Sequence, residues 1–204
     1  LILDCNIREA LLGIVSVNND EQIPRLVPGY SLPPYAYTPG LSPHPTRDPE
    51  GHKLKIKIEG NDTFTSAQWE VCEPYLLGFD MFNHGFYWEA HEAWEALWQA
   101  IEREGRRATF LKGLIKLTAS GVKARQGSKS GVKHLADGAI KEFRAVESKN
   151  QNDCGNYMGL DLKALIDITE KVKALDINKA IVSGEHSPRV YDFILLPKLK
   201  KSLD

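Results

Sequence analysis

Eight of the chain's eleven prolines fall within one stretch of 26 residues, at Pro24, Pro28, Pro33, Pro34, Pro39, Pro43, Pro45 and Pro49. Each removes a backbone donor and biases its predecessor toward extended geometry, so neither a helix nor a central strand runs through such a stretch. Residues 21–51 are therefore expected to form an irregular arm that wraps a folded body or stays mobile. A loop of that length is uncommon in a compact domain unless it has a task.

Regular structure must come from the rest of the chain, and most of it reads as helix. Thr65 and Gln68 stand at capping-box spacing and Pro74 suits a helix start, which predicts a first helix reaching Asn83. Asn83-His84-Gly85 reads as a tight turn, and a second helix is expected from about Phe86 to Glu104, closed by Gly105. A third spans roughly Arg107 to Arg125 with Gly127 beyond it. Val132, Leu135, Ala136, Ala139, Phe143 and Val146 then recur at spacings of three and four, giving a fourth helix that starts near Ser128 or Ser130. Asp161 can cap a fifth, whose Leu162, Leu165, Ile166, Thr169 and Val172 form its apolar face.

The short connections favour antiparallel neighbours. The expected fold is all-α: an antiparallel bundle of about five helices over residues 65–175, preceded by an N-terminal segment and Pro-rich arm (1–64) and followed by a tail (176–204) packed on the bundle. Ile7 to Val17 is apolar with helical stretches. Lys53 to Ile58 alternates with period two, as a strand does, and Tyr191 to Leu196 is its one plausible partner, so the sequence allows a short strand pair.

Composition narrows the function classes. A length of 204 residues with 42% hydrophobic content supports one sizeable core. The 26 basic and 27 acidic side chains leave a formal charge of -1, so no net field draws in nucleic acid or an anionic bilayer. No apolar run approaches the ~20 residues of a membrane span, and a cytoplasmic location is the default expectation. Cys5, Cys72 and Cys154 are odd in number and lack Cys-x-x-Cys spacing, which fits reduced, buried thiols.

The second helix carries the densest chemistry. At 100° per residue, Ala90, Trp94, Leu97 and Ile101 face the core, while His91, Glu95 and Glu102 fall within about 40° of one another along its edge. Trp98 shares that arc, and Glu92 sits about 60° beyond Glu95. Histidine and carboxylate at i and i+4 can hold a divalent cation together, and His91-Glu92-Ala93-Trp94-Glu95 outlines His-Glu-x-x-His with a carboxylate in the last place. On that reading His91 and Glu95 are ligands and Glu92 is a general base. A third ligand must come from elsewhere: His84 in the preceding turn is nearest, and the arm offers His44 and His52.

Plainer readings stand beside this one. A His and a Glu one turn apart also form an ordinary polar pair between helices. Tryptophans at 69, 88, 94 and 98 are more often core than substrate platform, and Lys112, Lys116 and Lys123 more often a solvated face than an anion site. The pair of Glu-x-x-His motifs that a di-metal bundle places on two separate helices is absent from the sequence, which disfavours that class. Two alternatives to catalysis remain. Trp88, Trp94 and Trp98 with the arm's His44, Arg47, Asp48 and His52 could line a groove for a peptide or partner helix, the expected partner overall being an unknown small molecule or peptide. Alternatively, the arm and helix only lock each other, with Arg47 and Asp48 pairing to Glu92 or Glu95.

Phe82-Asn83-His84-Gly85-Phe86-Tyr87-Trp88-Glu89-Ala90-His91-Glu92-Ala93-Trp94-Glu95-Ala96-Leu97-Trp98 and Phe110-Leu111-Lys112-Gly113-Leu114-Ile115 closely resemble the domain-of-unknown-function family 309, over roughly Tyr75 to Val146. Pro43 to His52 also resembles the arm that precedes the bundle in longer members. The resemblance implies a small all-helical fold and a metal-dependent hydrolase, and the reading of the His/Glu motif gives such an enzyme one divalent ion (zinc, manganese or iron). Lys112 departs from the family pattern, which has Gln there, and places a cation where it can compete with a metal.

Overall fold

The computed structural model describes residues 13–17, 22–53, 64–148, 155–176 and 189–199. Five helices carry it: α1 (Glu73–Asn83), α2 (Tyr87–Ala100), α3 (Gly105–Arg125), α4 (Lys129–Glu147) and α5 (Leu162–Val172). Each packs against the next in chain order. The all-α bundle is therefore the fold, supplemented by two small antiparallel strand pairs.

The helix signals act as their chemistry dictates. The Ser128 hydroxyl accepts the Gly131 amide and the Asp161 carboxylate accepts the Ala164 amide, fixing the starts of α4 and α5. Pro74 occupies the first turn of α1. Every residue of α1 from Tyr75 to Asn83 is buried, so this helix is enclosed on all sides. Its Gly78 lets Trp94 of α2 press against its backbone, since a Cβ there would lie 2.2 Å from the indole Nε1. The indole N–H instead donates to the Tyr75 carbonyl at 3.1 Å.

Several boundaries depart from the sequence reading. Thr65 does accept the Gln68 amide, at 3.2 Å, but that pair closes only a turn before a short 3-10 segment (Trp69–Val71), and the helix begins at Glu73. α2 ends at Ala100 rather than Glu104, because Ile101 turns extended to bury its side chain. Gly105, at φ +85, opens α3 instead of closing α2. Glu102 consequently lies beyond α2 and does not continue the His91/Glu95 strip.

The apolar segment near residue 14 is a strand, not a helix. β1 (Gly13–Ser16) pairs antiparallel with β4 (Phe193–Leu196), Gly13 opposite Leu196 and Ser16 opposite Phe193. The C-terminal strand thus has a partner that hydrophobic pattern alone did not suggest. The proposed strand over 54–58 lies outside the described residues, as do Cys5, Cys154 and His186. A second pair, β2 (Asn156–Tyr157) with β3 (Leu160–Asp161), forms a small hairpin leading into α5. Buried Asn83 at the end of α1 gives its amide N–H to the Leu195 carbonyl and takes the Leu195 N–H, both at 2.8 Å, so the side chain acts as one more strand beside β4.

The proline-rich arm wraps the bundle, and buried acids fix its course. Asp80 of α1 accepts the Arg25 guanidinium and the backbone amides of Leu26 and Val27 at 3.0, 2.7 and 2.9 Å. Farther along, Tyr37 donates its amide to Glu89 of α2 at 2.8 Å, and Gln126 reaches the Pro39 carbonyl at 3.3 Å. Residues 43–53 then fold into a tight loop, in which Lys53 donates its amide to the Pro45 carbonyl at 2.9 Å. Gly51 is required there, because a Cβ would come within 2.3 Å of the His44 carbonyl oxygen.

Candidate functional site

α2 divides its polar residues between two stripes. His91, Glu92 and Glu95 lie toward one edge, and each offers a ligand atom, all within 4.8 Å of one another. His91 Nε2 stands 3.6 Å from Glu95 Oε2. That is too long for a hydrogen bond, yet close to the ~3.4 Å edge of a tetrahedron built from metal bonds of about 2.0–2.1 Å. On its other side the His91 Nδ1–H donates to the Ile115 carbonyl of α3 at 3.3 Å, which leaves Nε2 bare toward the carboxylates. A backbone carbonyl behind a histidine is the usual arrangement for a metal-ligating imidazole. The donor set of one imidazole and two carboxylates suits zinc, manganese or iron(II).

Glu89, Glu92 and Ala96 form the second stripe at spacings of three and four, and the arm lies over it. Between them is a pocket of about 130 Å³ lined by His44, Pro45, Thr46 and His52 from the arm and by Trp88, Glu89, Glu92 and Ala96 from α2. Glu92 belongs to both the pocket and the metal-competent group. Glu92 is exposed on its outer side, and partial desolvation is the main cause that raises its carboxyl above the ordinary value; Glu95 and Glu89 add to this, while His91 and His44 oppose it.

On the inner side of the pocket is a buried pair. His52 Nε2–H donates to Glu89 Oε1 at 2.9 Å, and each side chain is only 1% exposed. The same oxygen takes the Tyr37 amide, whereas Glu89 Oε2 has no hydrogen-bond partner among the described residues. His44 is oriented the opposite way to His91: its Nδ1 accepts the Thr46 and Arg47 amides at 3.2 and 3.3 Å, so a neutral ring carries its proton on Nε2. In that tautomer His44 is a donor rather than a metal ligand.

The remaining candidates take varied places. His84 caps α1, donates its Nδ1–H to the Asp80 carbonyl at 2.8 Å, and stands outside the His91 group, with Arg25 and Arg189 near enough to repel its charged form. Arg47 and Asp48 are exposed; the Asp48 carboxylate turns back to accept the His44 amide and so shapes the loop. Trp88 is half-buried, stacked on His91 and edge-on to Tyr37 and His44. Trp94 is wholly buried core. Trp98 lies under Arg103 and Lys112, their charged groups 5.0 and 5.8 Å from its ring, so the Lys112 cation rests on an indole. Among the described residues, the exposed large hydrophobics are Leu41, Val71 and Leu199, not these tryptophans.

Glu89 is the residue the helical wheel missed. It sits one position from core-facing Ala90 and, on the helix alone, reads as flanking polarity. The available signals were its place three residues before Glu92 and seven before Ala96, and an arm rich in histidine. Lys116 pairs with Glu142 at 2.6 Å and Lys123 with Gln126 at 2.8 Å, as ordinary surface lysines do.

The segment that contributes most of α1, all of α2 and α3 and the start of α4 is the one that a known family model recognises. Residues 75–135 match the family model described as Domain of unknown function (DUF309). The DUF309 segment includes Glu89, His91, Glu92 and Glu95, but the arm that closes the pocket lies outside it. No curated protein matches the chain. Among the described residues, no helix is long and apolar enough to cross a membrane.

Proposed function

We propose that the chain binds one divalent metal ion through His91 and Glu95, with Glu92 beside it, and hydrolyses a small substrate held between α2 and the arm. The observation that carries this reading is the His91 imidazole, whose Nδ1–H is committed to the Ile115 carbonyl while its bare Nε2 faces Glu95 at 3.6 Å. With three donor atoms within 4.8 Å, small side-chain rotations close the group around an ion.

The ion would supply Lewis acidity toward a carbonyl or phosphoryl oxygen. The chain's own residues supply the rest. Glu92 faces both the group and the pocket, and its raised pKa brings it nearer the range where a carboxylate accepts a proton from an attacking water efficiently. Trp88 holds the His91 ring by stacking, and the arm loop supplies the facing wall of the pocket beside Glu92. The hydrolytic assignment draws on the resemblance of the His-Glu-x-x-Glu motif to its family.

Elemental analysis and calorimetry on protein purified without a metal-affinity tag test this reading. One equivalent of zinc, manganese or iron is expected in the wild type, and loss of that equivalent in His91→Ala. A wild-type chain that takes up no stoichiometric metal from any of the three would end it.

A further inference from the structure

The pocket has an imbalance that the metal group does not explain. Its ionisable lining is His44, His52, Glu89 and Glu92. The His52 Nε2–H is spent on Glu89 Oε1, and the Tyr37 amide is spent on the same oxygen. Among the described residues, Glu89 Oε2, on a side chain 99% buried, is left with no hydrogen-bond partner. Arg125 is near enough for its charge to act on Glu89, but it does not line the pocket.

An ionised carboxylate oxygen accepts and never donates, and leaving one dry and unanswered costs about 1–3 kcal/mol or more. The pocket therefore offers more acceptors than donors: Glu89 Oε2 and the Glu92 carboxylate against the Thr46 hydroxyl and the His44 Nε2–H. Its volume of about 130 Å³ lies below the roughly 300 Å³ at which sites for drug-sized molecules begin. Trp88 and Ala96 give it apolar walls.

We infer that this pocket binds a small primary ammonium group, whose N–H donors satisfy Glu89 Oε2 and whose charge is held by Glu89 and Glu92. The inference rests on the reading of pocket and metal group as one site, and it gives that site a substrate class: a small molecule bearing an amine. An anion is disfavoured by the two carboxylates, and a quaternary ammonium by its lack of N–H.

The test titrates the metal-free, isotope-labelled full chain with methylammonium, tetramethylammonium and acetate, following the Trp88 indole and Tyr37 amide resonances by NMR. Saturable shifts are expected with methylammonium, with tetramethylammonium about tenfold weaker or worse and acetate without effect. Glu89→Gln turns an N–H toward the pocket and should weaken methylammonium by about tenfold or more. Ala96→Leu fills the cavity from a helical position and should abolish binding without touching the His52–Glu89 pair, so it serves if the Glu89 variant fails to fold.

Absence of saturable methylammonium shifts, equal response to tetramethylammonium, or undiminished binding in Ala96→Leu would each overturn the inference. Metal uptake is measured separately. Stoichiometric metal without methylammonium binding removes the ammonium site alone, whereas methylammonium binding without metal removes the metal reading alone.

Discussion

His52 and Glu89 are 37 residues apart in sequence, yet their side chains meet at 2.9 Å with each only 1% exposed. One belongs to the arm and the other to α2, so this contact ties an irregular segment to the most chemically dense helix. Removing one member of such a pair strands the other in a dry environment. His52→Ala is expected to lower stability by about 3 kcal/mol, read from urea denaturation. It should also speed amide exchange at Tyr37, whose N–H shares the Glu89 oxygen.

A second carboxylate fixes the start of the arm. Asp80→Ala leaves the Leu26 and Val27 amides and the Arg25 guanidinium without their acceptor. The expected loss is about 2–4 kcal/mol. Limited proteolysis should then cut within residues 22–53 much faster than in the wild type, while α3 and α4 stay protected.

His84 gives a pH signature with a definite sign. Burial, chiefly, holds its pKa below the ordinary 6.5, with Arg25 and Arg189 acting the same way and the Asp80 carbonyl and carboxylate opposing. Between the folded and unfolded values the unfolded chain binds more protons, so stability rises with pH. This contribution is whole above about pH 6.5 and is lost as the pH falls below it. His84→Gln removes the titration and should flatten that part of the stability profile relative to wild type, measured by denaturant midpoints across pH 5–8.

Much of the bundle was legible because its signals are local. Ser128 and Asp161 cap the helices they were expected to cap, and the apolar stripe of α4 is the buried one. What escaped depends on contacts distant in sequence. Glu89 is polar by type and buried only because Tyr37 and His52 lie over it, a fact no helical period contains. β1 lacks an alternating pattern and forms through pairing with residues near the C-terminus. The end of α2 shifted because burial of Ile101 outweighed continued helix. Of the site, the His91/Glu95 spacing was readable from one turn of helix, whereas the tautomer of His91 is set by Ile115 on another helix.

Packing between α1 and α2 has little tolerance. A Cβ at residue 78 would stand 2.2 Å from Trp94 Nε1, so Gly78→Ala must push the indole from the Tyr75 carbonyl it bonds. Overpacking of this kind costs about 1–3 kcal/mol, and losing the buried hydrogen bond adds to it. A fall in thermal midpoint with a red-shifted tryptophan emission is expected.

Asp80 and Glu89 sit on successive helices as anions whose counterparts come chiefly from the proline-rich segment. A protein trimmed to its five helices would lose Arg25, His52 and the amides that answer both carboxylates, and would open both to water. Those hydrogen bonds, at about 1 kcal/mol each and more where a charge takes part, are a large share of the roughly 5–15 kcal/mol that holds an ordinary domain together. The unit that folds is therefore larger than its regular secondary structure, and a boundary drawn at residue 64 would cut it through its own electrostatics.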